Sequence, residues 1–337
     1  MVDSLLNSSY KQAPNVHKFG GSSLCDSTQI SKVVETVKEK VKKGDFLVVS
    51  ANGKVTDYLL SYCQGKKQAL VHLTGYLNTL ITNVLQSPNQ LIEKIHQDLN
   101  HLSQKAQQSV LEQSEVLALG ELWSAQLLSA RLNEEKIVNN WLDARDYITV
   151  DEQNLLANKS AAKKLLMHAT EQCVCSEGQA NFHIITGFIA RNLSGESITL
   201  GRNGSDYTAT LVAKLVQSET VYLWTDVDGV YTADPNVVSE ARPIERLTLS
   251  EAQALSELGS HILHQKTMAP ILQQNTKIII NTCGSESVGT LVDRRGPSKK
   301  AKNAGSTCQG VRTLAHKSNL VYLAVEKVNE LKARQLQ

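Results

Sequence analysis

Val16-His17-Lys18-Phe19-Gly20-Gly21-Ser22-Ser23, then a helical run, then Phe46-Leu47-Val48-Val49-Ser50: this stretch decides how the chain folds. Val16 to Phe19 is a short strand, and two glycines follow it at once. From about Ser27 to Lys42, Ile30, Val33, Val34, Val37 and Val41 recur at helical spacing. Gly44 ends that helix, and Phe46 to Ser50 reads as a buried strand. Strand, glycine loop, helix and strand make a βαβ unit, which requires parallel pairing and a right-handed crossover.

Downstream, Thr56 to about Asn133 is helical almost throughout, with breaks expected near Gly65, Ser87-Pro88 and Gly120. Strand character returns at Ile137 to Leu142 and helical character at Ser160 to Ala169. His183–Thr186 and Ser197–Leu200 read as a hairpin turning at Ser194-Gly195. Thr220–Trp224 and Lys277–Asn281 are further strands. The alternation predicts an α/β fold, a three-layer αβα sandwich whose strand order is not legible. Residues 1–15 read as a tail and 16–292 as one large domain. Residues 293–310, rich in Gly, Lys, Arg and Ser, read as a linker. Residues 311–337 hold two more strand signals and a Lys/Glu-rich helix, too short to close a core of their own.

The totals narrow the function. A chain of 337 residues with 41% hydrophobic and 20% charged residues is that of a soluble globular protein. A formal net charge of +2 leaves no basic excess for neutralising phosphates along a nucleic acid. Cys25, Cys63, Cys173, Cys175, Cys283 and Cys308 are scattered without zinc-site spacing, and read as reduced thiols in a cytoplasmic protein. Neither a signal peptide nor a membrane-length apolar run is visible.

Three loops carry the chemistry. In Lys18-Phe19-Gly20-Gly21-Ser22-Ser23, turn N–H groups and a lysine suit an anion, although a plain β–α turn has the same letters. Leu200-Gly201-Arg202-Asn203-Gly204-Ser205-Asp206-Tyr207-Thr208 reads either as a capped turn before a helix or as an arginine grip on a carboxylate or phosphate. Thr225-Asp226-Val227-Asp228-Gly229-Val230-Tyr231-Thr232-Ala233-Asp234-Pro235 leaves the carboxyl end of a strand, where open α/β sheets bind ligands. Its aspartates suit Mg²⁺ or a lysine, and equally a simple turn. Neither a P-loop nor a Gly-x-Gly-x-x-Gly motif is present.

Taken in order over more than two hundred residues, these three motifs resemble the aspartate kinases of the amino-acid kinase family. The wording around Lys18 and in Trp141-Leu142-Asp143-Ala144-Arg145 is most similar to the kinase half of bifunctional aspartokinase–homoserine dehydrogenases. The resemblance implies transfer of the ATP γ-phosphoryl group to the side-chain carboxylate of L-aspartate, with Mg²⁺, at the start of lysine, threonine and methionine biosynthesis. Carried over by position, Lys18, Gly20, Gly21 and Ser22 meet the phosphates, while Ser50 and Thr56 line the acceptor side. Glu121 faces the substrate ammonium, and Phe188, Arg202, Gly204 and Ser205 complete the aspartate pocket. Asp206 orients Lys18. Thr225, Asp226, Tyr231 and Asp234 belong to the nucleotide side. A homodimer and a C-terminal homoserine dehydrogenase domain in a longer protein are expected partners; nucleic acid and membrane are not.

A carboxylate with an unperturbed pKa of about 3.9 is already ionised at neutral pH, so its phosphorylation needs no general base. Two departures stand out. His261 replaces a lysine expected near ATP, and Asn236 an expected arginine, so weaker ATP binding is expected. The residues at 311–325 resemble the first part of an ACT domain that is not completed here. Two rival readings are a sister enzyme such as N-acetylglutamate kinase, whose substrate offers Glu121 no ammonium, and a non-catalytic amino-acid or nucleotide sensor.

Overall fold

The computed structural model describes residues 13–150, 165, 182–235, 237–257, 265–272 and 274–294. The expected helix at 160–169 (but for residue 165), His261, Asn236, most of the N-terminal tail, the linker beyond residue 294 and the ACT-like segment lie outside the described residues.

The opening βαβ unit forms as its periodicity dictates. Strand β1 (Val16–Phe19) leads through a tight turn into helix α1 (Ser27–Lys40), which buries Ile30, Val33, Val34 and Val37. Asp26 caps that helix, its side chain accepting the Gln29 N–H at 2.8 Å. Strand β2 (Phe46–Val49) then pairs parallel with β1. Four helices follow: α2 (Val55–Cys63), α3 (Gln68–Val84), α4 (Asn89–Gln108) and α5 (Gln113–Glu134). Gly65, in the left-handed region at φ +88°, and Pro88 separate the first three, as expected.

Gly120 is not a break. Helix α5 runs through it, and a Cβ there would sit 2.9 Å from Val55 Cγ1 and 3.2 Å from Ala51 Cβ. The glycine lets α5 lie against the start of α2. Contact, not chain reversal, explains it.

Strand β3 (Asn139–Leu142) and strand β4 (Phe182–Thr186) come next. The expected hairpin is real, but its first strand is not 183–186. β4 is buried along its whole length and lies inside the main sheet between β3 and β2. Strand β5 (Ile189–Arg191) instead pairs antiparallel with β6 (Ser197–Thr199) as a separate two-stranded sheet. The continuous apolar run marks an interior strand.

Helix α6 (Gly204–Leu215), strand β7 (Thr220–Thr225), strand β8 (Arg246–Thr248), helix α7 (Leu249–Glu257), the helical turn α8 (Gln265–Met268), strand β9 (Lys277–Thr282) and strand β10 (Thr290–Asp293) complete the described chain. The sheet order is β3-β4-β2-β1-β7-β9-β10-β8, parallel except between β9 and β10. Alternate residues face opposite layers. Val16, Phe46, Val48, Ile185, Val221 and Leu223 share one core with α6 and α7, while Phe19, Leu47, Val49 and Ile184 share the other with α1 to α5. This is the three-layer sandwich. The loops after β1, β2, β4 and β7 all leave the carboxyl edge of the sheet, where ligands bind in such folds.

Gly120→Val tests the α5–α2 contact. It should destabilise the protein by about 1–3 kcal/mol, the usual cost of overpacking, read as a lower urea midpoint. An unchanged midpoint would show that the two helices can separate freely.

Candidate active site

Lys18 stands near the end of β1, the central strand, and its Nζ meets Asp206 Oδ1 at 2.6 Å. Asp206 lies in the first turn of α6, where the helix dipole favours a negative charge. Both side chains are largely but not fully covered, so the pair lies at the wall of a cleft. The capping expected of Ser205 or Asp206 does not occur. The chain enters α6 through Asn203, in the left-handed region at φ +57°, with no side-chain cap; Ser205 and Asp206 are already helical.

Two loops are laced together beside Lys18. The Gly53 N–H donates to the Gly21 carbonyl at 3.0 Å, and Asn52 Nδ2 donates to the Leu24 carbonyl at 2.8 Å. Tyr76 Oη donates to the Cys25 carbonyl at 2.6 Å. Gly21 has no room for a side chain, since a Cβ would lie 2.8 Å from the Ala51 carbonyl oxygen. From α5, Ser124 Oγ donates to the Ser50 carbonyl at 2.7 Å.

One turn before Ser124, helix α5 carries Glu121, only 3% exposed. Burial pushes its carboxyl well above the usual carboxylate range, and neither the Ala51 backbone hydrogen bond nor the nearby Lys18 charge offsets that. Its Oε2 is buried without a hydrogen-bond partner. A buried carboxylate oxygen left unpaired is costly, and a cationic ligand is the partner that would relieve it. In the same cleft, Arg202 is exposed and has no ion-pair partner among the described residues.

The cleft has a volume of about 530 Å³. Of the residues singled out by sequence, Lys18, Gly21, Ser50, Thr56, Glu121, Phe188, Arg202, Gly204, Ser205 and Asp206 all line it. Thr225, Asp226, Tyr231 and Asp234 do not. They occupy the loop beyond β7, where Thr225 Oγ1 donates to Asp226 Oδ1 at 2.9 Å and Tyr231 Oη donates to Asp228 Oδ1 at 2.7 Å. Gly20 and Ser22 also stand outside the cleft lining, Gly20 facing β7 through its N–H on the Trp224 carbonyl at 3.4 Å. Sequence reasoning missed Gln113, Leu117 and Thr199, which line the cleft too. Gln113 and Leu117 are legible only once Glu121 is placed, since they precede it by eight and four residues on one helix face.

The fold is an α/β sandwich with a cleft at the carboxyl edge of its sheet, and the cleft presents two carboxylates, Glu121 and Asp206, with two cations, Lys18 and Arg202. The sequence matches the amino acid kinase family over residues 14–281, and the chain belongs to that family. It is 34% identical over 267 residues to bifunctional aspartokinase/homoserine dehydrogenase 2 of Escherichia coli, covering 76% of this chain and 32% of that one. It is 32% identical over 281 residues to the aspartokinase of Chlamydia muridarum, covering 81% and 61% respectively. The crystal structure of E. coli aspartokinase III in complex with aspartate and ADP superposes with a TM-score of 0.73 at 28% identity, over 83% of this chain and 64% of that one. The chain thus spans about a third of the bifunctional relative and about three fifths of the aspartokinases.

Glu121 gives a pH-dependent stability signature. Its folded-state pKa lies above the unfolded value, so its contribution is fully present below an unfolded pKa of about 4.3 and is lost as pH rises through the folded value. Glu121→Gln should therefore melt higher than the parent, with a gap that widens as pH rises above about 4.3. A gap independent of pH would show that the carboxyl is not strained by burial.

Proposed function

We propose that this chain is an aspartate kinase, transferring the γ-phosphoryl group of ATP to the side-chain carboxylate of L-aspartate to give 4-phospho-L-aspartate. The observation that carries this reading is the buried Glu121 oxygen without a partner in the same cleft as Arg202, which has no ion-pair partner among the described residues. A free amino acid needs one anion for its ammonium and one cation for its α-carboxylate. Glu121 and Arg202 are that pair, and N-acetylglutamate, which has no ammonium, would leave Glu121 unsatisfied. The similarity to aspartokinases in sequence and to an aspartate- and ADP-bound aspartokinase in structure supports the same reading.

Mechanistically, the acceptor carboxylate is the nucleophile and is already ionised, so no residue has to remove a proton. Catalysis reduces to positioning and charge neutralisation. Lys18, oriented by Asp206, supplies a cation beside the transferring group, and the N–H groups of Gly21 and Ser22 add donors. Thr225, Asp226, Tyr231 and Asp234 hold the nucleotide on the far side of β1. His261 belongs to the same nucleotide group by sequence. Among the described residues no cluster of three or more His, Cys, Asp or Glu side chains is placed to hold a metal. That donor set fits a Mg²⁺ carried mainly by the ATP phosphates, with at most one or two carboxylates of the β7 loop. Bound there, Mg²⁺ would neutralise phosphate charge.

Residues 16–292 would form the catalytic domain, with 293–310 as a linker to an ACT-like unit beginning at 311. A cytoplasmic homodimer, and a homoserine dehydrogenase domain elsewhere in a longer protein, complete the proposal. Among the described residues no helix is long and apolar enough to cross a membrane.

ATP-dependent hydroxamate formation with aspartate, N-acetylglutamate or no acceptor separates the readings. Turnover on aspartate alone is expected; turnover on N-acetylglutamate, or on neither, would replace this function with a sister kinase or a sensor. Arg202→Ala should raise the aspartate KM far more than the ATP KM. Lys18→Ala should lower kcat by about 10²–10³-fold, as loss of a transition-state charge contact does. Equal KM effects in the first, or a near-normal kcat in the second, would remove that residue from its role.

A further inference from the structure

Phe188 lines the acceptor cleft with a backbone conformation that its side chain does not favour. Its φ is +65°, in the left-handed region, and the Ile189 N–H donates to the Gly187 carbonyl at 2.7 Å across it. A hydrogen bond closing over a single residue at positive φ defines a γ-turn of the rarer, strained kind. The turn carries the chain out of β4, where the Gly187 N–H still donates to the Val49 carbonyl at 2.8 Å, and into the β5–β6 hairpin. A strained residue persists only where its surroundings over-determine it.

Those surroundings are specific. The Phe188 N–H donates to Thr208 Oγ1 at 3.0 Å, and the Phe188 carbonyl accepts the Leu200 N–H at 2.8 Å. The Leu200 carbonyl in turn accepts Lys266 Nζ at 3.0 Å, immediately before Gly201 and Arg202. Thr208 is fully buried, and its hydroxyl also donates to the Gly204 carbonyl at 3.0 Å, tying the same atom to the first turn of α6. Steric contact closes the remaining freedom. A Cβ on Gly187 would lie 2.6 Å from Ser205 Cβ, and one on Gly204 would lie 2.6 Å from Phe188 Cδ2. The Phe188 corner and the start of α6 are thus interlocked, with one hydroxyl bridging them.

We propose that Thr208 is a positioning residue for the acceptor side of the cleft: its hydroxyl holds Phe188 in the strained turn and so fixes Phe188 against the Arg202–Asp206 wall. The kinetic part of this inference rests on the aspartate kinase reading; the structural part does not. Thr208 is buried and is not among the residues that line the cleft. It acts through Phe188 and Gly204, at the junction of the two segments that form the acceptor wall.

The test compares Thr208→Val, nearly isosteric but without the hydroxyl, with Thr208→Ser, which keeps it; Thr208→Ala replaces the first variant if valine does not fold. Amide exchange followed by NMR without ligand should be faster at Phe188 in Thr208→Val by about tenfold, and close to the parent in Thr208→Ser, the size expected for one hydrogen bond. The Arg191 amide, donating to the Ile148 carbonyl at 3.0 Å, serves as the internal reference and should not change. Unchanged Phe188 exchange in Thr208→Val overturns the inference whichever amino acid is the acceptor. In steady-state kinetics, Thr208→Val should raise the aspartate KM about tenfold, leave the ATP KM near the parent value, and be rescued by serine. Equal changes in both constants, or no rescue by serine, would reduce Thr208 to a residue of the core.

Discussion

The ion pair between Lys18 and Asp206 joins the central strand of the sheet to the first turn of the helix that covers it. Everything around the cleft is arranged relative to that junction. β1 lies between β2 and β7, so the loops after all three strands meet at its carboxyl end. The helix dipole favours Asp206 in place, and Asp206 in turn holds the Lys18 ammonium at the cleft wall. Partly screened by solvent, such a pair adds modest stability. Its value lies in orientation, because a lysine left to its four-carbon stem would sample many positions.

Glycines set the spacing of the walls. Gly21 lets the first turn approach the Ala51 carbonyl, Gly187 admits Ser205, and Gly204 admits Phe188. At each of these a Cβ would fall below 3.0 Å from its neighbour, too close to be accommodated without movement. Close-packed interiors transmit such shifts, so the acceptor side and the phosphate side are mechanically one unit.

The βαβ unit, the strands expected at 137–142, 220–224 and 277–281, and the three loops were legible because each leaves a local signature. Periodicity marks the elements, and paired glycines mark the turn. What depends on distant partners was not. Gly120 has the letters of a helix break, yet its environment is Val55 and Leu59 of α2 and Ala51 of the loop before it. The run at 182–186 has the apolar character of any strand; only its neighbours show that it belongs to the main sheet while 189–191 forms the hairpin. Asn203 at positive φ, rather than Ser205, opens α6, and a residue type alone does not distinguish these. Glu121 sits on a helix with little contrast between its faces, so its place in the cleft followed from family resemblance, and its unpaired oxygen only from the structure.

Burying a carboxylate with one oxygen unpaired costs stability, and the proposed function gives that cost a purpose: the site is incomplete until a cation arrives. Calorimetric titration of aspartate, with a non-hydrolysable ATP analogue present and in buffers of differing ionisation enthalpy, tests this most directly. An ammonium beside Glu121 must lower its pKa, so aspartate binding should release protons over a range of pH above the ordinary carboxylate pKa of about 4.3. Succinate, which lacks the ammonium, should release none at Glu121, and Glu121→Gln should abolish the release. Aspartate binding without proton release across that range, or with the same release in Glu121→Gln, would contradict the assignment of Glu121 to the substrate ammonium.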